Sequence, residues 1–136
     1  MRLIEYLNIE QDGSGTMVLP FEKRNLNYLG TAHAAAQFAL AEFASGQYLQ
    51  KQFPEYAGEV TGVVRKSKLR YRNPGRGRLH ADVSIEDVEK AKLILRLKNR
   101  GMSPATLKVI VRDEEGSTSL EAEFEWFLSR SFGSSS

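Results

Sequence analysis

The period of the hydrophobic pattern changes several times along the chain, and each change marks an element. Leu3 to Glu10 carries β-compatible residues, Gln11-Asp12-Gly13-Ser14-Gly15 is a turn cluster, and Thr16 to Leu19 reads as a return strand. Residues 3–20 are therefore predicted to form a hairpin, which Pro20 ends. Residues 21–30, with Asn25, Asn27 and Gly30, read as a connecting loop. From Ala32 to Lys51 the chain runs AHAAAQFALAEFASGQYLQK, a predicted helix rich in the strongest helix former. Thr31 is its expected N-cap. Between Ala34 and Ala41 the only polar side chain is Gln37, and a helix apolar all round belongs inside a protein. The six alanines from Ala34 to Ala44 let a sheet or another helix approach closely. Gly46 lies near the C-terminal end, and Pro54 blocks continuation.

Two strands are predicted next, Tyr56–Tyr71 and Gly77–Ile85, joined by the turn signal Asn73-Pro74-Gly75. A second helix is predicted from Ile85 to Arg100. Ser84 would be its N-cap, Asp87 a variant capping box, and Gly101 its stop. Val88, Ala91, Leu93, Leu95 and Lys98 give it an amphipathic pattern. A second hairpin closes the chain: Ala105–Arg112, the turn Asp113-Glu114-Glu115-Gly116, and Ser117–Leu128. In its last strand Leu120, Ala122, Phe124 and Trp126 alternate with Glu121, Glu123 and Glu125, as a strand with one wet face requires. Short turns imply an antiparallel sheet. The apolar helix needs complete cover, and a curved sheet supplies it. The expectation is one α+β domain over residues 1–130, with a disordered tail at 131–136.

Composition narrows the function. A chain of 136 residues suits one core. With 41% apolar and 26% charged residues it has the make-up of a soluble globular domain. There is no cysteine, which excludes disulfides, thiolate catalysis and cysteine-ligated zinc. No apolar run approaches the roughly 18 residues of a membrane span, and the start MRLIEYLNIEQDG lacks a signal-peptide core. No membrane partner and a cytoplasmic location are expected. The net charge of +2 points to no nucleic-acid partner. His33 and His80 are 47 positions apart, so no histidine-rich metal site is expected, and His80 reads as structural. Neither a G-x-S-x-G elbow nor a P-loop is present.

Glu42 is the one formal charge between residues 32 and 49. An unpaired buried carboxylate is costly, so it is either paired, protonated or used, or it reaches solvent where the sheet ends. His33 lies nine residues earlier. That is half a circle and about 13 Å along a helix, so the two point to opposite sides. They could meet only across a two-fold axis between two copies. Alone, His33 reads as a histidine bonded to its loop. Backbone N–H groups at residues 32–34 would form an oxyanion site at the helix start, and Asn27 could add a side-chain donor.

The run Asn27-Tyr28-Leu29-Gly30-Thr31-Ala32-His33-Ala34-Ala35, with Glu42 beyond it, resembles the helix-start signature of hotdog-fold acyl-CoA thioesterases. The branch it is similar to holds the phenylacetate-pathway and 4-hydroxybenzoyl-CoA thioesterases. Its pattern is Asn-x-x-Gly-x-x-His-Gly-Gly, with an acid nine residues after the histidine. Leu69-Arg70-Tyr71-Arg72-Asn73-Pro74 and Asp113-Glu114-Glu115-Gly116 resemble a later strand end and hairpin turn of that family. The resemblance covers residues 3–130. The helix before Gly101 resembles an insertion shared with poorly characterised members. Two departures stand out: Ala34 and Ala35 replace both glycines, and Val64 falls where some members carry a water-holding Ser or Thr. Ser67 is close, but strand parity puts it on the other face.

The resemblance implies a putting-together of roles. Glu42 would be general base or nucleophile, the Ala34 N–H the oxyanion donor, Asn27 an orienting group, and His33 a neighbour of the carbonyl or leaving thiolate. The active unit would be a homodimer, with tetramers an alternative. Coenzyme A would enter only as part of the substrate, with no separate cofactor and no metal. The substrate would be acyl-CoA or, failing that, an acyl carrier protein thioester. A non-catalytic binder, a hydratase and a structural domain are the competing readings. A hydratase fits least, because its Pro-Gly segment is missing.

From Val60 to Ala81 there are seven basic residues (Arg65, Lys66, Lys68, Arg70, Arg72, Arg76 and Arg78) and no acid. They read either as a cradle for coenzyme A phosphates, with Arg65 and Lys66 the candidates, or as a wet strand face balanced by Glu121, Glu123 and Glu125. Tyr71 is the one aromatic in the stretch, a poor basis for nucleic-acid stacking. Phe38, Leu40, Phe43, Tyr48 and Trp126 would line an apolar tunnel for the acyl chain.

Overall fold

The computed structural model describes residues 1–53 and 59–130. Its elements are α1 (Leu3–Tyr6), β1 (Glu10–Gln11), β2 (Met17–Leu19), a 3-10 turn (Lys23–Asn25), α2 (Ala34–Lys51), β3 (Val60–Tyr71), β4 (Leu79–Ser84), α3 (Asp87–Arg100), β5 (Met102–Asp113) and β6 (Thr118–Arg130). The strands make one antiparallel sheet in the order β1-β2-β4-β5-β6-β3. Helix α2 lies on one face of it, against β4, β5 and β2. The expected α+β class and antiparallel sheet are both present. Pro54, the predicted strand start at Tyr56 and the tail 131–136 lie outside the described residues.

The N-terminus departs from the predicted hairpin. Residues 3–6 are helical, because the Glu5 carboxylate reaches back to the Arg2 backbone N–H (3.3 Å) and to its Nε (2.9 Å). Asn8, at φ 57°, then turns the chain into β1. The turn cluster behaves as predicted. Asp12 Oδ1 accepts from the Ser14 and Thr16 N–H groups, and Gly15 takes φ 88°.

Helix α2 begins two residues later than its sequence suggests, and His33, not Thr31, is its N-cap. Ala36, Leu40, Ala41, Ala44 and Leu49 are buried in the core, with Leu79, Val109, Leu120 and Phe124 among the sheet residues there. Phe38 packs edge-on to Phe124 at 5.6 Å. The cover is not complete within one chain. The face carrying Ala35, Ala39, Glu42 and Gly46 looks into an open hollow.

Strands β3 and β4 follow one another in sequence but are not neighbours. Strands β5 and β6 lie between them, so residues 72–78 form a crossover rather than a hairpin turn. The crossover is held by the start of α2: the Gly75 carbonyl accepts from the Ala32 N–H at 2.8 Å. Among the described residues, strand β3 pairs only with β6 and forms a sheet edge. A bulge sits between Val64 and Lys66. Its consequence is a correction. Val64 opposes Trp126 and Ser67 opposes Phe124, two positions on the same face of β6, so Ser67 shares Val64's face. Parity counting fails because the extra residue shifts the pleat.

On the other face, Lys66, Lys68 and Arg70 stand opposite Glu125, Glu123 and Glu121. Arg72 also pairs with Glu121 at 3.0 Å. This is the balanced wet face weighed from the sequence. His80 and Asp82 lie 3.6 Å apart there, and Arg112 meets Asp82 at 2.6 Å, consistent with a structural His80.

Helix α3 packs on β5 through Leu93 and Leu97, both buried. Val88, Ala91 and Leu95 of the predicted apolar pattern are exposed instead. Ser84 remains in β4, and Glu86 stands at the N-cap position without a side-chain capping bond. Gly101 ends it at φ 75°, as its type suggests. Among the described residues, no helix is long and apolar enough to cross a membrane.

Candidate active site

A hollow of about 600 Å³ opens beside α2. Ala35, Phe38, Ala39, Glu42, Phe43 and Gly46 line it from the helix. Val60, Thr61 and Gly62 of β3, Trp126 and Leu128 of β6, and Arg2, Leu3 and Ile4 around α1 supply the other walls. The helical spacing explains the first set, since residues three or four apart share a face. Glu42 is half-buried, and its carboxylate has no hydrogen-bond or ion-pair partner among the described residues. It is therefore a free acceptor facing a mainly apolar hollow.

Two residues of the predicted tunnel lie elsewhere. Leu40 is fully buried beneath the helix, because two residues of helix turn it about 200° from Glu42. Tyr48 lines a separate hollow beside Lys51 and Gly15. Phe38, Phe43 and Trp126 do face Glu42's hollow.

The helix start forms a second centre. His33 is exposed, and its Nδ1 accepts from the Ala35 N–H at 3.0 Å. In the neutral ring Nε2 then carries the proton. The Ala32 and His33 N–H groups are occupied by Gly75 (2.8 Å) and Asn25 (2.7 Å) carbonyls, so they are not the free donors expected. The Ala34 N–H has no acceptor among the described residues. Tyr71 fastens this end from β3, donating its O–H to the Ala34 carbonyl at 2.9 Å. Burial pushes the Tyr71 phenol above its ordinary pKa near 10.0, so it stays a donor.

Asn27 is spent locally. Its Oδ1 accepts from the Leu29 and Thr31 N–H groups at 2.9 and 3.1 Å, closing the turn that Gly30 completes at φ 80°. Its Nδ2 donates to Thr31 Oγ1 at 2.9 Å. Asn27, His33 and Ala34 thus gather at the helix start, and none lines the hollow that holds Glu42. Arg65 and Lys66 sit at the bulge of the edge strand. The Arg65 guanidinium stacks on Phe127 at 3.8 Å, and Lys66 stands opposite Glu125.

Sequence reasoning missed Thr61, Gly62 and Arg2 in the hollow. Only the pairing of β3 with β6 and the helical turn at Leu3 bring them there. The stripe Ala35, Ala39, Glu42, Gly46 was a signal open to reading, because its spacing is that of one helix face.

A six-stranded antiparallel sheet in this order, carrying a long helix on one face, is the hotdog fold. The chain belongs to the family "Domain of unknown function (DUF4442)", whose model matches residues 4–128. Solved structures share the fold. A Bacillus halodurans protein solved with CoA is similar with a TM-score of 0.72 and 24% identity, over 93% of this chain and 74% of that one. A Pseudomonas aeruginosa protein named a probable thioesterase gives 0.72 and 23%, over 85% and 75%. A thioesterase of Haemophilus influenzae gives 0.75 and 16%, over 98% and 86%. No curated protein matches the chain.

Proposed function

We propose that this protein hydrolyses an acyl-CoA thioester at a site shared between two copies. The observation that carries the reading is the unpartnered Glu42 carboxylate on the wall of a largely apolar hollow. An acyl chain has apolar walls to lie against there, and the carboxylate stands ready for water. Glu42 takes a proton from water as the water oxygen attacks the thioester carbon. The oxyanion is received by the free Ala34 N–H of the second copy, at the positive end of its α2. The carbon–sulfur bond then breaks, and the proton taken up by Glu42 passes to the leaving thiolate, which restores the carboxylate. His33 of that copy lies next to Ala34, within reach of the leaving group. Asn27 acts by shaping the loop before it.

Pairing of two copies supplies what one chain lacks, because His33, the N-cap of α2, does not line the hollow that holds Glu42. The free edge of β3 offers the surface for it, with Val63, Leu69 and Tyr71 exposed along it. Arg65 and Lys66 on that edge are assigned to the phosphates of coenzyme A. Ser67, on the same face as Val64, returns a hydroxyl to the face where Val64 offers none. The fold-mates named thioesterase, and the one solved with CoA, agree with this reading.

The test is free-thiol release from short, medium, long and aromatic acyl-CoAs, with Glu42→Ala alongside. Release is expected from the wild type, falling by at least about a hundredfold in the variant. Release that survives in Glu42→Ala would remove the carboxylate from the mechanism. A second reading, a non-catalytic binder of acyl-CoA or acyl carrier protein, is favoured by the methyl groups of Ala34 and Ala35. It predicts thermal stabilisation by CoA ligands with no thiol released.

A further inference from the structure

We propose that the Trp126 indole is the wall that sets which acyl groups the hollow accepts, an inference that rests on the thioester-hydrolase reading of the same cavity. The ring is built into its place from three sides. On α2, a Cβ at Gly46 would lie 3.1 Å from its Cη2. On β3, a Cβ at Gly62 would lie 2.6 Å from Leu128 Cδ2 and 3.1 Å from the ring's Cε3. Two glycines on different elements thus leave room at the indole, and Gly62 leaves it for Leu128 as well. The third tie is polar. Trp126 Nε1–H donates to Ser45 Oγ at 2.9 Å, and Ser45 donates to the Glu42 carbonyl at 2.7 Å. The orientation of the ring is therefore locked to the helical turn that carries Glu42.

That turn also gives the distance scale. Gly46, which touches the ring, is one turn beyond Glu42 on the same face, a separation of about 6 Å. A thioester carbon held at Glu42 leaves little more than that length before an acyl chain meets the indole. The chain must then bend along the ring toward Leu128 or stop. Its bulk, and not the total volume of the hollow, limits the acyl group.

The sequence has one tryptophan beside five tyrosines, so emission excited at the red edge, where tyrosine does not absorb, reports this wall alone. Non-hydrolysable alkyl-CoA thioethers of short, medium and long chain are titrated into the full-length protein while emission is followed and binding is measured by calorimetry. Emission is expected to shift once the chain is long enough to reach the ring and to saturate with binding. In turnover, Trp126→Phe and Trp126→Ala are expected to raise kcat/KM for the longest chain relative to the shortest by about tenfold or more. Ser45→Ala, which frees the ring without shrinking it, should blunt the discrimination. Thioethers that bind without moving the emission at any length would overturn the proposal. So would folded Trp126→Phe and Trp126→Ala proteins with the wild-type chain preference. If the emission responds to chain length but no thioester is hydrolysed, the wall stands and the hydrolase reading falls.

Discussion

Tyr71 shows how one side chain can hold a site together without entering it. Its hydroxyl reaches from the end of β3 to the Ala34 carbonyl at the start of α2, the position whose N–H is the free donor. Removing the hydroxyl in Tyr71→Phe is expected to cost at most about 1 kcal/mol, because the ring remains and the site is partly wet. Urea unfolding would measure it. The sign of its pH dependence follows from burial. The folded phenol has a raised pKa, so its contribution is complete below the ordinary value near 10.0 and is lost as pH rises through the folded value. Wild type should therefore lose stability in alkali by a component that Tyr71→Phe lacks. Glu42 differs: its carboxylate has no partner to lose among the described residues, so Glu42→Gln should fold as well as wild type.

At the scale of elements, the start of α2 is the most tightly constructed region. Three segments converge on it: the Asn27–Thr31 turn, the crossover at Gly75, and the end of β3. A Cβ at Gly75 would stand 2.9 Å from Ala32 Cβ and 3.0 Å from Leu79 Cδ1. The Ala32 methyl has no rotamer by which to move away. Gly75→Ala is therefore expected to destabilise by about 1–3 kcal/mol. It should also weaken the Ala32–Gly75 hydrogen bond and so lower turnover more than its stability cost alone explains. Thermal unfolding and turnover measured together test this, and an unperturbed protein would show that the crossover has slack.

Among the described residues, the sheet ends in an uncovered edge. Strand β3 is a twelve-residue edge that bears exposed apolar side chains, and the Glu42 hollow opens beside it. Long apolar edges are normally covered. Sedimentation equilibrium should give about twice the 15.3 kDa of one chain. Val63→Asp places a carboxylate on that edge in both copies, so repulsion and desolvation should shift the protein toward monomer. Thiol release should fall with the dimer. A dimer of full strength in Val63→Asp would move the interface to another surface.

The sequence by itself determined a good deal. The alanine-rich run made α2, the alternation of β6 set its buried and wet faces, and Asp113 to Gly116 made the second turn. These are local rules that nearby residues satisfy on their own. Gly101 stopped α3 for the same reason. The spacing from His33 to Glu42 predicted that they would not meet in one chain, and His33 does not line Glu42's hollow. Other features needed the tertiary structure. The helix at Leu3 depends on four residues that also suit a strand, and only packing and the Arg2–Glu5 contact decide between them. Which strands neighbour β3 is a long-range choice, and its bulge is invisible until β6 supplies the register. That register moved Ser67 to Val64's face and brought Gly62, Trp126 and Glu42 around one hollow. Local sequence encodes which way a backbone prefers to turn, but what stands beside it is decided by the whole chain closing on one core.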